Sequence, residues 1–149
     1  MVNATEIARG IHRISFWDEP DLTGIIFPGA SYNLYLIAAE QPAIIQTMFR
    51  RTFARVRAKV REILDPTSLR YIVVPHHEGD SSGAINEWLA VAPRAVPICS
   101  ELCAVLSLRD FANKEPMVVT DGQVIDLGSH RLRFLLTPQV NQWDSLMVY

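Results

Sequence analysis

Val73-Val74-Pro75-His76-His77-Glu78-Gly79-Asp80-Ser81-Ser82-Gly83 decides how the rest of the chain is read. The β-branched run Leu69 to Val74 fits a strand buried on both faces, and it breaks at Pro75 into a polar segment. In extended chain, residues i, i+2 and i+4 project to one side, so His76, Glu78 and Asp80 are expected to converge while His77 points away. One imidazole and two carboxylates at the end of a strand form a compact metal-ligand set, suited to iron or manganese rather than to thiolate-rich zinc sites. Ser81-Ser82-Gly83 is expected to cap a helix starting near Ala84. The opposing interpretation is structural: loop histidines, and carboxylates placed near a helix N-terminus where its dipole favours them.

Outward from this segment the period alternates between that of strands and that of helices. Ile11 to Phe16 reads as a first strand, and Asp18 to Gly29 as a turn-rich loop with an apolar island at Ile25 to Phe27. Ser31 to Ala38 is a strand with both faces covered, and Pro42 to Met48 its hairpin partner. Between Phe49 and Leu64, Phe49, Phe53, Val56, Val60 and Ile63 recur at helical spacing until Asp65-Pro66 stops the run. Two further helices are expected over Ala84 to Ala92 and Glu101 to Phe111, with a strand at Ala95 to Ile98 between them. Met117 to Thr120, Val124 to Leu127, Arg131 to Leu136 and Ser145 to Tyr149 read as strands. Strands and helices in this order give an α/β layered domain with helices on one face of a mixed sheet.

Composition narrows the function classes. The chain has 149 residues, 49% hydrophobic and 20% charged, with a net charge of −2, which fits one folded domain and excludes a disordered chain. Six of the 14 basic residues (Arg50, Arg51, Arg55, Arg57, Lys59 and Arg61) share one helix, but no aromatics interleave with them. A solvated helix face is therefore expected rather than a nucleic-acid surface. No apolar run approaches the roughly 20 residues that a bilayer crossing needs. Met1 to Gly10 carries Glu6 and no stretch of signal-peptide length, so a cytoplasmic location is expected. Cys99 and Cys103 read as small buried thiols. A Ser-His-acid set could be drawn from Ser81, His77 and Asp144, but nothing around Ser81 resembles a nucleophile elbow.

His76-x-Glu78-x-Asp80, with its flanking strand end and Ser82-Gly83, resembles the metal motif of the metallo-β-lactamase fold. It is most similar to the flavodiiron and oxygen-binding diiron branch, in which Glu takes the place of a hydrolase histidine. Ser31-Tyr32-Asn33-x-Tyr35-Leu36-Ile37 resembles that branch's second-strand signature. Pro42 to Thr47 resembles the strand that follows, with Gln46 where Asp is common. Thr137-Pro138 and Trp143-Asp144-Ser145-Leu146-Met147 resemble the segment around the next histidine ligand. The resemblance implies the N-terminal portion of an αββα sandwich, spanning 1–149 as a single, incomplete domain, with an iron site (zinc or manganese as substitutes) that handles O2 or NO. His76 and Glu78 would serve one metal and Asp80 the other.

Ser81, Gln142 and Gln139 stand where the resemblance implies histidines, so Ser81 and Gln142 are degenerate ligand positions. The resemblance implies that the family's bridging Asp and final His fall beyond Tyr149, and no flavin-binding segment is expected within residues 1–149. Two other functions compete with the oxidoreductase: a non-enzymatic binding or assembly module, and a metal-dependent hydrolase. An uncovered sheet face is expected to pair two chains as a homodimer, and an oxidoreductase would also need an electron-transfer partner.

Overall fold

Ten strands form two sheets in the computed structural model, which describes residues 2–19 and 29–149. The loop expected between Asp18 and Gly29, with its apolar island, lies largely outside the described residues. The first sheet has seven strands in sequential order: β1 Val2–Ala8, β2 Ile11–Asp18, β3 Ala30–Ile37, β4 Ala43–Ile45, β5 Tyr71–Val73, β6 Val96–Cys99 and β7 Met117–Val118. From β1 to β4 neighbours are antiparallel and joined as a meander, whereas from β4 to β7 they are parallel.

Each parallel step requires a crossover, and crossovers of this kind are right-handed. Because β4 to β7 advance in one direction, all the crossovers fall on the same face of the sheet. They carry α1 (Phe53–Arg61), α2 (Gly79–Ser82), α3 (Ile85–Val91) and α4 (Glu101–Cys103). A widened π-helical segment, Ala104–Leu108, continues α4 into α5 (Arg109–Phe111). The other face is left to the second, antiparallel sheet of β8 (Val124–Asp126), β9 (Arg131–Leu136) and β10 (Leu146–Val148).

Period-two alternation divides each central strand between two cores. Ile14, Leu34, Leu36, Ile44 and Ile72 meet Val56, Val60, Ile85 and Trp88 on the helix side. Ile37, Ala43, Val73 and Ile98 meet Leu127, Leu132, Phe134 and Leu146 between the sheets. This is the helix–sheet–sheet part of the expected sandwich.

Three elements differ from the sequence reading. β1 was not expected, because all its side chains but Val2 are exposed and carry no burial pattern. Leu102, Val105 and Leu106 supply the apolar period of the 101–111 helix, yet they lie at the surface, and only Leu108 of that set is buried. Ser81 and Ser82 do not cap a helix at Ala84 but lie inside α2, which already begins at Gly79. The Ala84 N–H is instead satisfied by the Met48 carbonyl at 3.0 Å and Thr47 Oγ1 at 3.2 Å.

The basic residues of α1 and of the turn before it lie at the surface, as a solvated face should, and several make surface contacts. Arg51 pairs with Asp18 and lies 4.1 Å from the Phe49 ring, and Arg50 pairs with Glu87 at 2.5 Å. Arg55 and Arg57 lie over Phe16 and Phe53. Among the described residues, no helix is long and apolar enough to cross a membrane.

Candidate metal centre

Loops at the carboxyl ends of parallel strands diverge there and leave a cleft, the usual place for functional side chains on a rigid scaffold. Here the loops after β4 and β5, with Tyr32 of β3 and the β9–β10 loop, enclose an open cleft of about 570 Å³. His76, Glu78 and Asp80 lie in it, and one ligating atom from each falls within 4.8 Å of the others. His76 Nε2 is 3.3 Å from Glu78 Oε2 and 4.0 Å from Asp80 Oδ1. Two ligands about 2.1 Å from a shared ion are at most about 4.2 Å apart, so both His76 separations suit a shared ion, whereas the 4.8 Å spread of the trio requires the carboxylates to close in slightly on a common ion. The imidazole is buried while the carboxylates face the opening, with Glu78 the more exposed.

The three side chains converge by a different route from the one expected. The chain is extended only as far as Glu78 (φ −147°, ψ 163°) and turns helical at Gly79. Asp80 reaches His76 as an i, i+4 neighbour across that turn, not as the next step of a strand.

Thr47, which the sequence reading passed over, holds this turn. Its N–H and hydroxyl both donate to the Ser81 carbonyl, at 2.8 and 3.0 Å, and its carbonyl accepts from Trp88 Nε1 at 3.1 Å. Gln46 and Met48 on either side adopt left-handed φ values of 69° and 64°. Such backbone costs about 1 kcal/mol or more per non-glycine residue and persists where the surroundings fix it, often at functional sites. Gly83 completes the packing, since a Cβ there would collide with the Gly79 carbonyl oxygen. A second clamp comes from buried Asp144, whose Oδ2 accepts the His77 N–H at 2.8 Å and whose carbonyl accepts from Ser100 Oγ at 2.7 Å.

The serine, histidine and acid do not assemble as a catalytic relay. Ser81 Oγ sits 3.2 Å from His76 Nε2, not beside His77. His77 Nδ1 contacts Ser82 Oγ at 3.0 Å, its ring stacks edge-on against Phe111, and Asp144 takes its backbone N–H rather than its imidazole. Cys99 and Cys103 are buried as expected, and the hydrogen bond between them, followed by burial, pushes the Cys103 thiol far up.

It is Asn141, not Gln142, that lines the cleft, with Nδ2 3.4 Å from His76 Nε2. The backbone of Gln142 closes its own turn, its N–H donating to Ser145 Oγ and its carbonyl accepting from the Gln139 N–H. Gln139, two residues before Asn141 in the same loop, has a left-handed φ of 69°. Gln46 also lines the cleft.

Residues 30–149 match the family model described as ODP family beta lactamase. The chain belongs to that family. Two relatives of this ODP-family domain are a putative diflavin flavoprotein A 2 of Synechocystis sp. and a nitric oxide reductase of Moorella thermoacetica. The first is 31% identical over 89% of this chain and 24% of its own length, the second 32% identical over 81% and 31%. The ODP-family domain thus spans about a quarter to a third of these relatives. Among solved structures, a flavo di-iron protein from Thermotoga maritima superposes at a TM-score of 0.86 with 23% identity, covering 100% of this chain and 40% of its own. Rubredoxin oxygen:oxidoreductase from Desulfovibrio gigas also gives 0.86, with 24% identity, covering 99% of this chain and 38% of its own. These likenesses show the β-lactamase-like fold for the domain.

Proposed function

We propose that the domain binds iron through His76, Glu78 and Asp80 and serves an oxidoreductase that handles dioxygen or nitric oxide. The convergence of these three side chains within 4.8 Å carries the reading. The relatives named as a nitric oxide reductase and as an oxygen:oxidoreductase agree with it. When bound, iron supplies an open coordination position and a redox couple. The chain's own residues do the rest. Glu78 and Asp80 bring two negative charges, which favour the higher oxidation state, and buried His76 brings a neutral nitrogen donor. Thr47 and Asp144 fix the loop from both sides, so the ligands need little reorganisation. Tyr32 and Phe49, packed edge-to-face with ring centroids 4.6 Å apart, form an apolar wall on one side of the cleft.

Electrons would come from a donor outside residues 1–149, and the cytoplasm is the compartment proposed. A second copy is the proposed partner. Ile11, Tyr35 and Ile45 of the large sheet face Leu132, Leu146 and Val148 of the small one across an apolar groove of about 570 Å³ that a dimer would close. Light scattering at micromolar concentration is expected to give a dimer mass, and a monomer mass would remove this part. For the metal, elemental analysis of freshly purified protein is expected to find iron in the wild type and little in His76→Ala. Equal, negligible iron in both would overturn the reading.

Hydroxyl and amide groups at Ser81 and Asn141 favour a second reading, a non-enzymatic module that keeps the fold. It predicts that His76→Ala changes neither melting temperature nor partner binding, and a fall of several degrees would count against it.

A further inference from the structure

We infer that the side-chain amide of Asn141 is a hydrogen-bond donor to the gas held beside His76, and that it makes the cleft select dioxygen over nitric oxide. This assignment rests on the metal-binding reading above and chooses between the two gases which that reading leaves open.

The amide already stands at the metal-facing nitrogen. Asn141 lines the cleft, and its Nδ2 lies 3.4 Å from His76 Nε2, the ring atom that also faces Glu78 Oε2 at 3.3 Å and Asp80 Oδ1 at 4.0 Å. An ion about 2.1 Å from Nε2 is therefore no more than about 5.5 Å from the amide nitrogen. A diatomic molecule on the ion and one hydrogen bond to it can bridge such a span. The loop carrying Asn141 is tied on both sides. The Thr137 N–H donates to the Ser145 carbonyl at 3.0 Å, the Gln139 N–H to the Gln142 carbonyl at 3.0 Å, and the Gln142 N–H to Ser145 Oγ at 2.8 Å. A donor held in this way needs little reorganisation when charge develops near it.

Hydrogen-bond chemistry then separates the two gases. Carboxylates bound to an ion accept hydrogen bonds but do not donate them, whereas the amides of Asn141 and Gln46 and the Tyr32 hydroxyl bring N–H and O–H donors into the lining. Of these three, Asn141 stands within reach of the ring nitrogen that would hold the ion. Dioxygen gains negative charge on its oxygen atoms as it takes electrons, and a hydrogen bond to a charged acceptor is roughly twice as strong as one between neutral groups. Nitric oxide accepts less charge on its oxygen, so the same N–H adds less. Donors around the open position of haem iron are a comparable lever on how dioxygen is bound and activated. Asn141 supplies hydrogen bonds and no proton: the electrons come from iron(II) and, behind it, the outside donor, the protons come from water, and dioxygen is the acceptor.

The test compares the wild-type, Asn141→Leu and Asn141→Gln proteins after anaerobic loading with iron(II). The readouts are iron(II) affinity, nitric oxide affinity by electron paramagnetic resonance, and the rate of iron(II) oxidation on mixing with dioxygen. Asn141 is exposed, so both variants are expected to fold. Asn141→Leu should slow oxidation about tenfold or more, while nitric oxide affinity changes less than about threefold and iron(II) affinity less than about twofold. Asn141→Gln keeps an amide and should recover much of the rate. An Asn141→Leu protein that is oxidised as fast as the wild type, or that loses both gases equally, would overturn this inference and leave the proposed metal function standing. A fall of about tenfold in its iron(II) affinity would also overturn it, by making Asn141 a ligand rather than a donor. No iron(II) binding in the wild type would remove the metal reading, and this inference with it.

Discussion

Replacing Thr47 with Val keeps the shape of a fully buried side chain and deletes one hydroxyl. That hydroxyl donates to the Ser81 carbonyl at 3.0 Å and accepts from the Ala84 N–H at 3.2 Å. Neither partner is orphaned by its loss, because the Thr47 N–H still reaches Ser81 and the Met48 carbonyl still accepts from Ala84. The cost is therefore that of two net hydrogen bonds without a full desolvation penalty, about 1–2 kcal/mol. At roughly 2–4 °C per kcal/mol for a domain of this size, the melting temperature should fall about 2–8 °C. Hydrogen exchange should show faster opening at the Ala84 amide, and the affinity for iron(II) should drop with it, since the loop bearing Asp80 is held by the same bonds. Thr47→Ser keeps the hydroxyl and should retain the Ala84 protection. A Thr47→Val protein melting within about 1 °C of the wild type, with Ala84 equally protected, would refute the view that Thr47 holds the turn.

Gly83→Ala should destabilise by about 1–3 kcal/mol, because the new methyl meets the backbone carbonyl of Gly79, which can move only by distorting α2; thermal melts check this. Cys99 and Cys103 should resist alkylation in the native protein at pH 8 and react fully once it is unfolded, since the raised Cys103 pKa and burial keep thiolate from forming. Glu40 bridges the β3–β4 turn to the Ser129 N–H, which holds its carboxyl below its ordinary value of 4.5. A lowered folded-state pKa stabilises above the unfolded value and is lost as pH falls through the folded one. The melting-temperature gap between wild type and Glu40→Gln should thus be present at pH 7 and close in acid below about pH 4.5.

Burial explains why some of this architecture was legible in the sequence and some was not. β3 and β5 have both faces covered, and α1 has one buried stripe of Val56 and Val60, so their periods carried the layered reading. β1 lies at the sheet edge with its side chains in water, so hydrogen bonding to β2 places it and no apolar pattern announces it. The trio His76, Glu78 and Asp80 was legible from spacing, although a helical turn rather than a continuing strand joins them. Asn141 was missed because loop residues have no period. Of the three amide residues Gln139, Asn141 and Gln142, only Asn141 lines the cleft, and no neighbouring residue type signals which one will. Thr47 was missed for a related reason: a lone threonine between two strained residues shows its role only when Ser81, Ala84 and Trp88 arrive from 34 or more positions away.

Anomalous diffraction at the iron edge, on crystals of the wild-type chain soaked anaerobically in iron(II), tests the central claim most directly. A peak is predicted within about 2.3 Å of His76 Nε2 and of an oxygen from each of Glu78 and Asp80. A map without a peak among these three side chains, at iron concentrations that saturate binding in solution, would contradict it.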